Sequence, residues 1–418
     1  MMETEDILAK AGMAMEEELC DHCLGRLFAQ LGHGLTNVER GRTLRIASAM
    51  FHKGGERVPV KEEAQSCTLC SDLFRDLDTL VEYVVEESQG IEFDTFLIGS
   101  RIDPHIEEKE ELLWSKLDLT HSEPLKSEFN RELGKLLDEK LDAEVDLKTP
   151  DIKFIVDTSF HSVQVEIAPM FLYSTYRKLS REIPQTRWHC RYCQGTGCQH
   201  CGGTGKMYET SVEEIVGEPL LELTGGEDFV LHGMGREDID ALMLGPGRPF
   251  VMEVKRPIKR DADLSSLEER VKEDGRVEIS PLKRVDKDMV RKIKGAETDK
   301  SYRVTVILEE PVEGGKLKKV LQSLCGAEIS QRTPKRVSHR RADLVRKRKV
   351  MEISLEEIQD NRATIHLTCQ AGTYVKEFIH GDEGRTQPNL ADELGLKCEV
   401  QFLDVVEIHH KQQPDVVK

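Results

Sequence analysis

Apolar positions along the chain change period several times, and these changes outline its elements. Near the N-terminus Leu24, Leu27, Phe28 and Leu31 recur at helical spacing and predict an amphipathic helix. Residues 80–87 keep that spacing, whereas 95–100 and 152–157 are short β-rich runs and 163–169 alternates as a half-buried strand does. Past Ser211 strands dominate, with runs at 229–232, 239–244 and 249–254. Gly245, Pro246, Gly247 and Arg248 join the last two, a turn signal that predicts a hairpin. Residues 256–300 are charged and poor in large apolar side chains, which predicts a partly mobile insertion around one helix at 286–293. Beyond it, 302–308 and 363–369 read as strands and 316–325 as a helix. The succession predicts an α+β multidomain chain: a segment 1–75, an α/β region 76–205, and a strand-rich domain 206–418.

At 418 residues the chain exceeds one compact core. Mean hydropathy is −0.45, and no apolar run approaches the roughly 18 residues of a bilayer span. The acidic start, Met1 to Asp6, lacks the basic and apolar regions of a secretory signal, so a cytoplasmic location is expected. The net charge of −18 argues against a nucleic-acid partner until its distribution is considered. Residues 1–150 carry 17 basic and 33 acidic residues, net −16, which leaves 42 against 44, net −2, for the rest. Within that rest, 331–350 holds nine Lys or Arg against the single acid Asp343. Arg332, Lys335, Arg336, Arg340 and Arg341 are therefore candidate RNA-phosphate contacts. Residues 173–178, which mix tyrosines with Arg177 and Lys178, are a second candidate RNA surface or else core.

Eight of the eleven cysteines fall in CxxC pairs. A CxxC turn places two sulfurs on one side of an ion, and two such turns complete a tetrahedral zinc site. Cys190, Cys193, Cys198 and Cys201 supply both turns within twelve residues, and Cys20, Cys23, Cys67 and Cys70 supply them across a helical insert. Two structural zinc ions are expected, with no open coordination position for catalysis. Cys325, Cys369 and Cys398 stand alone in apolar contexts and read as core.

Residues 233–240 form a glycine-containing junction between apolar runs, with Arg236 followed by Asp238 and Asp240. Such a junction suits a nucleophilic carboxylate, and these residues alone do not rank the two aspartates. Gly235 to Asp238 resembles the catalytic motif of pseudouridine synthases, Lys300 to Val304 their second motif, and Gly372 to Lys376 their third. The resemblance implies that Asp238 is the catalytic aspartate and that Tyr302 packs on the target base. It further implies that Tyr374 walls the pocket and that Lys376, helped by Arg236, holds the carboxylate ionised. An extended 372–376 would put Tyr374 and Lys376 on one side. Residues 181–188 and 374–389 are similar to the archaeal-type tRNA pseudouridine synthases. Those enzymes join a zinc-binding, THUMP-like RNA-binding region to a C-terminal pseudouridine-synthase fold, a mixed and mainly antiparallel sheet with helices. The likeness implies an isomerase that acts on uridines 54 and 55 of the tRNA TΨC loop, as a monomer and without a catalytic cofactor.

Other classes fit less of the chain. A non-catalytic zinc-containing tRNA adaptor explains the cysteines and the basic segment, but leaves Asp238, Tyr302 and Lys376 idle. A zinc co-chaperone or dithiol oxidoreductase leaves the C-terminal half unexplained. A THUMP-linked methyltransferase requires a glycine-rich nucleotide loop after a strand, and 1–418 contains no such pattern.

Overall fold

The computed structural model describes residues 4–52, 58–339 and 342–410. The chain divides into two compact units, Met1–Ala168 and Pro169–Lys418.

The first unit begins with α1 (Thr4–Met15), α2 (Asp21–Arg26) and α3 (Asn37–Met50). An α/β layer completes it: α4 (Leu77–Glu87), β1 (Thr95–Arg101), α5 (Pro104–Leu117), α6 (Leu125–Asp138), β2 (Glu144–Val145), β3 (Ile152–Asp157) and β4 (Ser162–Ile167). Its sheet runs β2-β1-β3-β4, with β1 parallel to both neighbours and β3 and β4 antiparallel. One face of β3 buries Ile152, Phe154 and Val156, and α6 buries Leu125, Phe129, Leu133 and Leu137. The predicted N-terminal helix is shorter than its spacing suggested, because α2 ends at Arg26 and Leu27 and Phe28 are buried in the turn beyond it. Segment 1–75 is not separate from the α/β layer. Fully buried Arg26 pairs with Glu110 of α5, and His22 meets Glu128 of α6 at 2.8 Å.

The second unit opens with β5 (Met170–Lys178), α7 (Val212–Thr224), β6 (Asp228–Gly233) and β7 (Met243–Lys255). Then come α8 (Leu267–Glu273), β8 (Val277–Ile279), β9 (Lys283–Arg284), α9 (Lys287–Gly295) and β10 (Asp299–Leu308). The remainder is α10 (Gly314–Leu324), β11 (Glu328–Arg332), β12 (Val345–Gln359), β13 (Arg362–Cys369), α11 (Val375–His380), β14 (Thr386–Gln387), α12 (Leu390–Leu394) and β15 (Cys398–His409). An 11-stranded sheet runs β14-β11-β12-β13-β10-β15-β7-β5-β8, with β6 on β7 and β9 on β5. It is antiparallel except at β15 and β7, which meet at one parallel pair, Val405 with Met243. Separate apolar clusters cover its two halves, and Tyr302 packs against both. Because β5 pairs with β7, the boundary lies at 168/169 rather than 205/206, and the second cysteine cluster belongs to this unit.

Two expectations fail here for physical reasons. The predicted hairpin at 239–254 is instead one strand, β7, whose partner along six residues is β6. Gly245 and Gly247 make a wide bulge within it, at φ of 58° and 86°. A Cβ at Gly245 would lie 2.0 Å from the Val406 carbonyl oxygen, and one at Gly247 would lie 2.7 Å from that of Tyr176. The glycines serve close approach to neighbours on both sides rather than a turn. The insertion 256–300 is also ordered. Leu267, Val271, Val277, Met289 and Ile293 are few, but all are buried, and β8 and β9 pair with β5.

Candidate active site

Residues 234–242 connect β6 to β7 and carry Asp238, and buried polar side chains grip this loop by its backbone. Arg248 donates to the Met234 carbonyl at 2.6 Å, and Gln185 donates to that of Gly235 at 3.0 Å. Lys178 reaches the carbonyls of Ile239 at 2.6 Å and Asp238 at 3.4 Å, and Arg181 that of Asp240 at 2.7 Å. Asp404 of β15 closes the circle, accepting from Arg181 at 2.6 and 2.8 Å and from the Leu242 N–H at 3.0 Å. Beneath the loop Glu237 points inward, where it pairs with Arg248 at 2.8 Å and accepts the Tyr176 hydroxyl at 2.9 Å. Burial, reinforced by Glu237, holds the Tyr176 phenol well above its usual range. Burial drives the Lys178 ammonium down to about 8, opposed by Glu237 and Asp240.

With Glu237 anchored inside, its neighbour Asp238 presents its carboxylate outward, 47% exposed. Lys376 meets it at 3.2 Å and Asp240 at 3.4 Å, so one ammonium serves both aspartates. Lys376 stands at the start of a helix rather than on an extended segment. Tyr374 is the N-cap of α11 and Lys376 lies in its first turn, because buried Gln331 clamps Tyr374 by exchanging hydrogen bonds with its N–H and carbonyl, each 2.9 Å. The helix carries Lys376 to the loop while Tyr374 remains half-buried at the turn. Arg236 holds its guanidinium 5.9 Å from the centre of the Trp188 ring. Tyr302 stands on β10, its phenol raised by burial and further by Cys369 and Asp238, against the lowering effect of Arg248. Raised in this way, the phenol stays a neutral hydroxyl near pH 7.

The basic segment is less free than its composition implied. Arg332 meets Asp343, Lys335 pairs with Glu383, and Arg336 pairs with Glu377 of α11 at 2.7 Å. Glu377 adjoins Lys376 on α11, so this pair places Arg336 beside the site. Arg340 and Arg341 lie outside the described residues. Of the 173–178 stretch, Tyr176 and Lys178 are fully buried in β5, whereas Arg177 is exposed.

The family model "Pus10, C-terminal" matches residues 171–409, and "Pus10 THUMP domain, archaeal" matches 80–157. The tRNA pseudouridine synthase Pus10 of Methanothrix thermoacetophila is 44% identical over 414 residues, covering 93% of this chain and 91% of that protein. The chain belongs to the Pus10 family of tRNA pseudouridine synthases. Pus10 proteins of Halorubrum lacusprofundi and Pyrococcus furiosus are 40% and 38% identical, covering 95% and 96% of this chain and 94% and 98% of theirs. Like other Pus10 members it is an isomerase with an RNA substrate, built as a THUMP domain followed by a pseudouridine-synthase fold. Among the described residues no helix is long and apolar enough to cross a membrane.

In this Pus10 chain the two cysteine groups assemble as their spacing predicts. The sulfurs of Cys20, Cys23, Cys67 and Cys70 lie within 4.8 Å of one another, as do those of Cys190, Cys193, Cys198 and Cys201. Sulfur pairs across each cluster stand at 3.8 and 3.9 Å. Four ligands at a zinc–sulfur distance of about 2.3 Å define a tetrahedron with edges of about 3.8 Å, so each group could hold a metal ion. Cys369 and Cys398 are buried as expected, but Cys325 caps α10 and is exposed.

The part that Tyr176, Lys178, Gln185, Arg248 and Asp404 play in holding the Pus10 loop, and that of Gln331 in clamping Tyr374, escaped sequence reasoning. One signal was available: Arg248 directly precedes the apolar run 249–252, where an unpaired charge is not tolerated.

Proposed function

We propose that Asp238 is the reacting carboxylate and that the substrates are uridines 54 and 55 of the tRNA TΨC loop. The observation that carries this reading is the 3.2 Å pair between Lys376 and Asp238, on a loop held from beneath. In the isomerisation the N1–C1′ bond breaks and a C5–C1′ bond forms, while one proton leaves C5 and one reaches N1. Atoms and electrons balance within the nucleoside. Asp238 meets the ribose or base as nucleophile, with Lys376 as its counter-charge at 3.2 Å, once the base has been flipped into the site. Tyr302 packs on the uracil, with its neutral hydroxyl available for proton transfer at C5, and Tyr374 forms a second wall. Arg332, Lys335 and Arg336 exchange their protein carboxylates for RNA phosphates on binding. The two cysteine groups each hold structural zinc, which sets the fold around it and leaves no position for substrate. The choice of loop uridines rests on the likeness of 181–188 and 374–389 to the archaeal-type enzymes.

The test maps pseudouridine in a tRNA transcript by carbodiimide-dependent reverse-transcription stops. Wild-type enzyme should mark both positions, and Asp238→Asn neither, with a loss of at least about 10³-fold. Asp240→Asn should lose far less. Modification surviving in Asp238→Asn removes the assignment.

A further inference from the structure

The second cysteine cluster carries more than its sulfurs. Its outer face presents Tyr192, 73% exposed, with the His200 ring 4.2 Å away. Beside them His200, Thr204, Lys206, Met207, Tyr208 and Glu209 line a groove of about 420 Å³, within the roughly 300–1,000 Å³ of small-ligand pockets. Tyr208 meets Trp188 edge to face at 5.6 Å, and Trp188 lies under the guanidinium of Arg236, two residues from Asp238. A hydrogen bond from the Met207 N–H to the Trp188 carbonyl, 2.8 Å, ties the groove to that tryptophan. The groove is thus coupled through side-chain contacts to the loop that bears the reacting carboxylate. In a chain of net charge −18, residues 189–208 contain no Asp or Glu.

We propose that this groove binds one unpaired nucleotide of the tRNA outside the reacting uridine, its base against Tyr208 and the rim formed by His200 and Tyr192. Aromatic faces take any unstacked base, and a ring cluster held by a metal knuckle is rigid before binding. The charges of the lining are met within the protein, Lys206 by Glu214 and Glu209 by Arg276 at 3.7 Å, so the base enters and its phosphate stays outside. A cluster of four thiolates on zinc carries negative charge. Hydrogen bonds to Cys201 from the Cys198 and Gly205 N–H groups, both 3.2 Å, spread it, and recognition here rests on stacking rather than on charge.

The proposal rests on tRNA being the substrate, and not on the role of Asp238, because its readout is binding. The double variant Tyr192→Ala/His200→Ala should weaken tRNA binding roughly tenfold in a filter assay. Its kcat at saturating tRNA should be unchanged, and Tyr192→Phe should bind as the wild type does. Tyr208→Ala should weaken binding further, with metal content measured to establish that the knuckle is intact. A 4-thiouridine-substituted tRNA should cross-link to the peptide spanning 188–209. Affinity within twofold of wild type in both alanine variants with the metal retained, or cross-links confined to other peptides, overturns the proposal.

Discussion

One ammonium held between two carboxylates is the smallest unit of the proposed site. Lys376 is 24% exposed and its partners 47% and 60%, so the pair adds little to stability. In the proposed reaction its value lies in charge presented to the reacting carboxylate. Lys376→Met should therefore lower kcat by about 10²-fold with an unchanged melting temperature, and Lys376→Arg should recover part of it; single-turnover rates and thermal denaturation decide. Lys300, on the same strand face as Tyr302, behaves in the opposite way. Burial, aided by Arg248, pushes its amine from 10.5 down to about 8. Between those values the unfolded chain holds a proton that the folded chain lacks, so this group makes stability rise with pH across that window. Below about 8 both states are protonated and the full cost is present. Lys300→Met should thus raise the melting temperature more at pH 7 than at pH 10, and an equal gain at both would contradict the assignment.

At the scale of elements, the loop 234–242 is a product of strands that hold it rather than of its own sequence. Tyr176→Phe removes one hydroxyl from beneath it and should reduce kcat several-fold with KM unchanged. Glu237→Gln leaves buried Arg248 without its counter-charge, and should destabilise the unit by about 3–5 kcal/mol in denaturant unfolding. Much of this level was legible. Period and composition located β1, β3, β4, β6, β10, β13, α9 and α10, because each has one buried face. What could not be read was the use made of glycine and proline. Gly245, Pro246 and Gly247 look like a turn, and only the carbonyls of Val406 and Tyr176, both remote in sequence, make them a bulge. In the same way Gln331, 43 residues before Tyr374, decides that α11 begins there.

For the whole molecule, the cysteine spacings foretold both clusters, since four ligands in two turns admit few arrangements. The purified protein should contain two zinc ions by mass spectrometry. Cys190→Ser should lose one of them and loosen the knuckle while leaving the first unit's melting transition in place. The division into units was harder to read, because β5 precedes the knuckle in sequence yet belongs to a sheet completed more than 200 residues later by β15. That sheet carries one further implication. Its halves share a single ladder pair, Val405 with Met243, beside the Val405 N–H bond to Leu242. Few backbone bonds must break for the halves to part there. In deuterated solvent the Leu242 and Val405 amides should therefore exchange well before those of β10 and β13, and bound tRNA should slow them selectively.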